Sequence, residues 1–162
     1  MDMSWVDSAH LAVAVALTYV LGFERDVRGA PTGDRVFALV GAGSAVVGIL
    51  AANGAPNALA GAITGIGFIG GGLVFRQAVG SQQVVMGITT AAAIFAAAAI
   101  GLAAGQGRLL VAAMATLVSL FVLEIRHIKW LSVLDGRRWS RYFPDDNGAE
   151  PSGKRPEERD GH

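Results

Sequence analysis

The chain has 162 residues, 52% of them hydrophobic before its 22 glycines are counted, and only 16% charged, against roughly 25% in soluble domains. Its 13 Lys and Arg balance 13 Asp and Glu, so there is no basic excess to bind nucleic acid; the absence of cysteine excludes disulfides, thiolate nucleophiles and cysteine-held metals. No charged side chain occurs from Val36 to Phe75 or from Gln77 to Gly107, so the solvent of these stretches is lipid or other helices.

Five apolar spans follow in chain order, at about Ser8 to Phe23, Val36 to Ala52, Ala58 to Phe75, Gly87 to Ala104 and Leu109 to Ile125. Each is at the short end of the roughly 17–25 residues a crossing helix needs. Helix is the expected form, because lipid offers no partner to free backbone N–H and C=O groups; the runs lack the period-two alternation of a barrel. The expected fold is therefore all-α, an integral membrane bundle of about five transmembrane helices over residues 1–125. The leader before the first span carries Asp2 and Asp7 and no Lys or Arg, which reads as a retained helix rather than a cleaved signal.

Between the first two spans lie Glu24, Arg25, Asp26, Arg28, Asp34 and Arg35. Glu24 and Arg28 are four apart, a favourable helical pair. The turn Asn53–Asn57 has no charge, Arg76 ends the third span, and Arg108 lies alone after the fourth. Beyond the fifth come Arg126, Lys129, Arg137, Arg138 and Arg141. The Lys/Arg distribution places the N-terminus outside and the C-terminus in the cytoplasm, with Arg108 the one dissenting charge. Residues 126–143 mix basic residues with Trp130, Trp139, Tyr142 and Phe143 and read as an interfacial segment. Residues 144–162 are polar and read as a disordered cytoplasmic tail.

Gly65-Ile66-Gly67-Phe68-Ile69-Gly70 has the spacing of a dinucleotide fingerprint but lacks its strand and its acid about 20 residues on, so no cofactor is expected. The bland reading is helix packing: Gly61 and Gly65, Gly67 and Gly71, and Gly101 and Gly105 stand four apart, which lets helices approach closely in a membrane. Gly70-Gly71-Gly72 exceeds packing need and leaves two readings, a continuous helix or one loosened near its cytoplasmic end; the continuous helix is favoured. His10, His127 and His162 are scattered, so neither a zinc site nor a Ser-His-Asp set is expected, and the chain is not read as an enzyme. The polar residues at the cytoplasmic ends form the candidate site: Glu24, Arg25, Arg35, Arg76, Thr89 and Thr90. Positive-inside anchoring accounts for the arginines alone; a charge-paired cluster also accounts for the acids, with Thr89 and Thr90 capping the fourth helix and Glu24 tied to Arg35 or Arg76. The arginines offset Glu24, Asp26 and Asp34, so no metal is expected there.

The motifs Gly22-Phe23-Glu24-Arg25, Gly33 with Arg35, Gly65 to Gly72, Gly87-Ile88-Thr89-Thr90-Ala91-Ala92 and Ile100 to Gly105 resemble those of the MgtC/SapB family of bacterial inner-membrane proteins, over roughly Leu17 to Gly107. Asp34, where an apolar residue is usual, Met86 in place of an arginine, and a long loop from Arg76 to Gly87 depart from the family pattern. The resemblance does not extend to the soluble C-terminal domain of some members. It implies a multi-pass protein of the bacterial inner membrane, with a role in adaptation to low Mg²⁺. The expected function is accessory or regulatory, exerted through another membrane protein, with self-association open. The rival is a small oligomeric ion transporter or channel. A charge deep in a span would favour that rival, and none is present; a pore lined by carbonyls or by Ser44, Thr64, Thr89 and Thr90 stays open.

Overall fold

The structure, a computed structural model, describes residues 4–30, 32–79 and 82–125. Five helices follow in order: α1 Trp5–Val27, α2 Asp34–Ala52, α3 Ala58–Leu73, α4 Ile88–Gly105 and α5 Leu109–Glu124, with strands β1 Phe75–Val79 and β2 Gln82–Met86 between α3 and α4. The all-α membrane bundle expected from the sequence is the fold observed. Three helices are long and apolar enough to cross a membrane: α1 with 23 residues, α2 with 19 and α4 with 18. The other two, α3 and α5, have 16 residues each, about 24 Å at 1.5 Å per residue. The bundle lies in one compact unit, Met1–Leu123; a second, Glu124–His162, has only Glu124 and Ile125 among the described residues. The interfacial segment 126–143 and the tail 144–162 fall outside them.

Local chemistry sets the helix ends. Ser4 and Asp7 form a reciprocal capping box at the start of α1, each backbone N–H bonded to the other's side chain at 3.1 Å, which satisfies two orphan donors. At the C-terminal end the chain turns at Gly29, φ 69°, with Ala30 N–H donating to Arg25 C=O and Gly29 N–H to Asp26 C=O. This is the Schellman arrangement, which needs the left-handed conformation that glycine adopts without strain.

Small residues set the packing. A Cβ on Gly22 would fall 2.6 Å from Asp34 Cα, and one on Gly41 would meet the Thr18 side chain, so α1 and α2 run antiparallel in near backbone contact. A Cβ on Gly101 would lie 2.9 Å from Ser44 Cβ and 3.1 Å from Gly41 Cα, and one on Gly105 would strike the Ala45 carbonyl. Hence α2 and α4 run parallel, with Gly41, Ala45 and Gly48 against Gly101 and Gly105. Nearly all of the core is α1, α2 and α4, with Ala14, Leu21, Phe37, Ala45, Ile94, Ala97, Ile100 and Ala104 buried, and α5 adds Ala112. The alanine-rich α4 is the central helix, because only small side chains admit neighbours this closely. Large apolar side chains point outward, Phe68 at 84% exposure and Leu110 at 78%, as suits a lipid-facing surface.

The structure departs from the sequence reading at several points. At Gly61, Gly65, Gly67 and Gly71, where the spacing predicts helix packing, an added Cβ meets nothing within 4 Å in this chain, and α3 has no buried residue. The four-residue spacing makes a small face on α3, but within one chain no helix lies against it. The segment from Arg76 to Gly87 is an antiparallel hairpin, not a loop; Arg76 sits in β1 opposite Val85, beyond the end of the third helix. Apolar and β-branched residues interleaved with glutamine favour extended backbone there. The α3 helix is continuous through Gly70–Gly72 to Leu73, the favoured reading.

Candidate functional site at the polar end of the bundle

The helix pairings bring the six expected site positions to one end of the bundle. Gly22 lies against Asp34, the parallel helices α2 and α4 both begin at this end, Gly70 is 3.7 Å from Ala91 by its added Cβ, and Gly87 packs on the Leu73 carbonyl. Glu24 and Arg25 leave α1 there, Arg35 opens α2, Arg76 is in β1, and Thr89 and Thr90 open α4.

Glu24 is the distinctive group. Its side chain is only 10% exposed, and its nearest cation is Arg28 Nε at 3.8 Å, one turn on in the same helix. Both carboxylate oxygens are buried without a hydrogen-bond partner among the described residues, as is Arg25 Nε. A buried carboxylate with one loose ion pair is costly, which makes it a functional candidate rather than an anchor. The expected tie from Glu24 to Arg35 is not formed: Arg35 is exposed at the first turn of α2, and Arg28 takes its place because an i,i+4 pair needs no tertiary alignment.

The threonines do not cap α4. Gly87 is its N-cap, with φ 86° and no side-chain cap bond, because Thr89 and Thr90 already lie inside the first turn. Thr90 is buried and Thr89 exposed.

Two groups outside the expected six complete the junction of α1 and α2. The Asp26 carboxylate fills the space where a Cβ on Gly33 would sit, so α1 sets a negative charge over the N-terminus of α2. Gly33 offers no side-chain cap of its own. The Tyr19 hydroxyl lies beside the Asp34 carboxylate across the same junction. Loop composition hinted at Asp26, but only the fold places it on Gly33. Asp26→Ala is expected to cost about 0.3–1 kcal/mol, the usual worth of a charge at a helix terminus, read as a lower melting temperature of the purified protein in detergent. An unchanged melting temperature would remove Asp26 from this role.

Among the described residues no group of three or more His, Cys, Asp or Glu stands close enough to hold a metal ion. Asp26, Gly33, Asp34, Arg35 and Val36 line an open polar hollow of about 390 Å³ beside the junction.

A profile of the MgtC family matches residues 11–129. The chain belongs to that family. The MgtC match begins inside α1 and runs past the end of α5, so the whole polar end lies within it. Similar proteins include an uncharacterized protein of Haemophilus influenzae, 30% identical over 160 residues, covering 89% of this chain and 66% of that one. The putative magnesium transporter YhiD of Escherichia coli K12 is 35% identical over 130 residues, 72% of this chain and 59% of its own. Protein SapB of Bacillus subtilis is 34% identical over 110 residues, 60% of this chain and 46% of its own. The chain thus spans about half to two thirds of the length of the MgtC relatives it matches. No solved structure matches it.

Proposed function

We propose that this membrane protein serves magnesium homeostasis in the bacterial inner membrane, as an accessory or regulatory component acting through another membrane protein. The observation that carries the reading is Glu24, a buried, incompletely paired carboxylate at the polar end of an otherwise apolar bundle. Such a group supports recognition at the membrane surface, because its cost is recovered when a partner supplies the missing donors. The magnesium connection rests on family membership and on the name of the Escherichia coli relative. The accessory role draws support from the two long uncharged stretches, Val36 to Phe75 and Gln77 to Gly107, since ion-coupled pathways use ionisable groups within the spans. The name of that same relative favours the alternative, a small oligomeric magnesium transporter or channel.

Two measurements test this together. The gene is expressed in a strain dependent on it for growth in low Mg²⁺, and the purified protein is reconstituted into liposomes carrying a Mg²⁺-sensitive dye. Growth support without Mg²⁺ flux above protein-free liposomes is the expected result. Flux that scales with protein density would move the reading to the transporter.

The proposed topology crosses the membrane five times, with the polar end cytoplasmic. The chain has no native cysteine, so single introduced cysteines report cleanly. A cysteine at Asn53, in the exposed turn after α2, should react with an impermeant maleimide added outside intact cells. One at Gly80 should react only after the cells are opened. The reverse pattern would invert the proposed orientation.

A further inference from the structure

Between α2 and α3 runs an apolar groove of about 580 Å³, lined on the α2 side by Gly43, Ser44 and Val47 and on the α3 side by Ala62, Gly65 and Ile66. Gly43 and Gly65 leave its walls open, with nothing within 4 Å of an added Cβ. The groove holds one polar anomaly. Thr18, Thr64, Thr116 and Ser119 each donate their hydroxyl to the carbonyl four residues earlier, at 2.7–2.9 Å. Ser44 does not. It is 5% exposed, lines the groove, and its hydroxyl makes no hydrogen bond among the described residues. With its hydroxyl turned away from the carbonyl four residues earlier, Ser44 has a proton to offer an acceptor that enters the groove. A lipid acyl chain has no acceptor to offer, whereas a helix carrying a polar side chain at the right depth has.

The exposed face of α3 is such a helix. Thr64 stands there between Gly61 and Gly65, exposed, with its own proton committed to Ala60 C=O, which leaves its oxygen free to accept. Ser44 lies eight residues before the α2 end at Ala52, and Thr64 six residues after the α3 start at Ala58. The helices are joined by a short turn, so the two hydroxyls differ in depth by about 3 Å at 1.5 Å per residue. A two-fold axis along the membrane normal carries each atom to its own depth in the second copy. From these observations we infer that the groove is the interface for a second copy of this chain: α3 of each protomer seats in the α2–α3 groove of the other, its Gly61-Gly65 face against the wall and its Thr64 accepting from Ser44 of the partner subunit. This goes beyond the proposed function and holds under either reading of it.

The test uses the full chain in native membranes. Two differently tagged copies are co-expressed, one Ser44→Cys and the other Thr64→Cys, and oxidised with copper phenanthroline. The expected product is a disulfide-linked heterodimer carrying both tags, absent when the second copy is Val111→Cys, on the exposed face of α5. As a second arm, Gly65→Leu extends into the groove from a position where an added Cβ meets nothing within 4 Å. It should keep the wild-type melting temperature while native mass spectrometry shows the two-copy mass reduced to one. No heterodimer, equal cross-linking to Val111→Cys, a wild-type protein that is monomeric in mild detergent, or a groove that retains only bound lipid would each overturn the inference.

Discussion

Gly105→Leu is expected to disrupt the bundle, at a cost of about 3 kcal/mol or more, while Gly67→Leu is expected to leave its stability unchanged. Gly105 faces the backbone of α2: an added Cβ lands on the Ala45 carbonyl, 2.8 Å from its carbon and 2.9 Å from Ala45 Cα. A backbone cannot rotate away as a side chain can, so α2 and α4 must separate. Separation strips dispersion contacts from the core that Ala45, Ala97, Ile100 and Ala104 share, and overpacking of this kind costs typically 1–3 kcal/mol, occasionally more. Gly101→Leu should behave the same way, since its Cβ position is hemmed by Gly41 and Ser44. At Gly67 nothing lies within 4 Å, and a leucine there simply meets lipid. The measurement is membrane abundance together with the melting temperature in detergent. Wild-type values for Gly105→Leu would show that α2 and α4 do not meet through these residues. A collapse of Gly67→Leu would place a neighbour on a face the single chain leaves open.

Glu24→Gln is expected to abolish growth support in low Mg²⁺ at normal abundance and undiminished melting temperature. The amide keeps the size of the carboxylate and removes a buried charge held, among the described residues, by Arg28 at 3.8 Å. Loss of that ion pair and relief of the desolvation cost oppose each other, so the net change in stability is small. The change in recognition is not small: a neutral amide no longer attracts the donors that both buried oxygens lack. Arg28→Gln separates the two effects. It leaves the carboxylate buried without its cation, so its melting temperature should fall where that of Glu24→Gln does not. Arg35→Ala, on an exposed residue, tests whether the neighbouring charge belongs to the same recognition face. Full growth support from Glu24→Gln at normal abundance would return this end of the bundle to a membrane anchor.

The sequence by itself determined the features that depend on nearest neighbours along the chain. Uncharged stretches fixed the helices, because lipid leaves backbone groups no alternative partner, and the four-residue spacing of Glu24 and Arg28 was enough to pair them. Glycine spacing showed which faces are small but not which are met by another helix. Of the glycines so marked, Gly101 and Gly105 lie against α2, while Gly61, Gly65, Gly67 and Gly71 face outward. Small residues at the same spacing on α2, Gly41 with Ala45 and Ser44 with Gly48, were equally legible and carry the other half of the contact. Which pair of faces meets was decided by the tertiary structure: α4, rich in alanine and glycine, accepts neighbours on more of its circumference than α3, whose Phe68, Ile63 and Ile69 hold other helices off. The same holds at the polar end. Asp26 reaches Gly33 and Tyr19 reaches Asp34 only because Gly22 lets α1 and α2 touch, and a contact between residues far apart on two helices depends on their crossing, which no local spacing encodes.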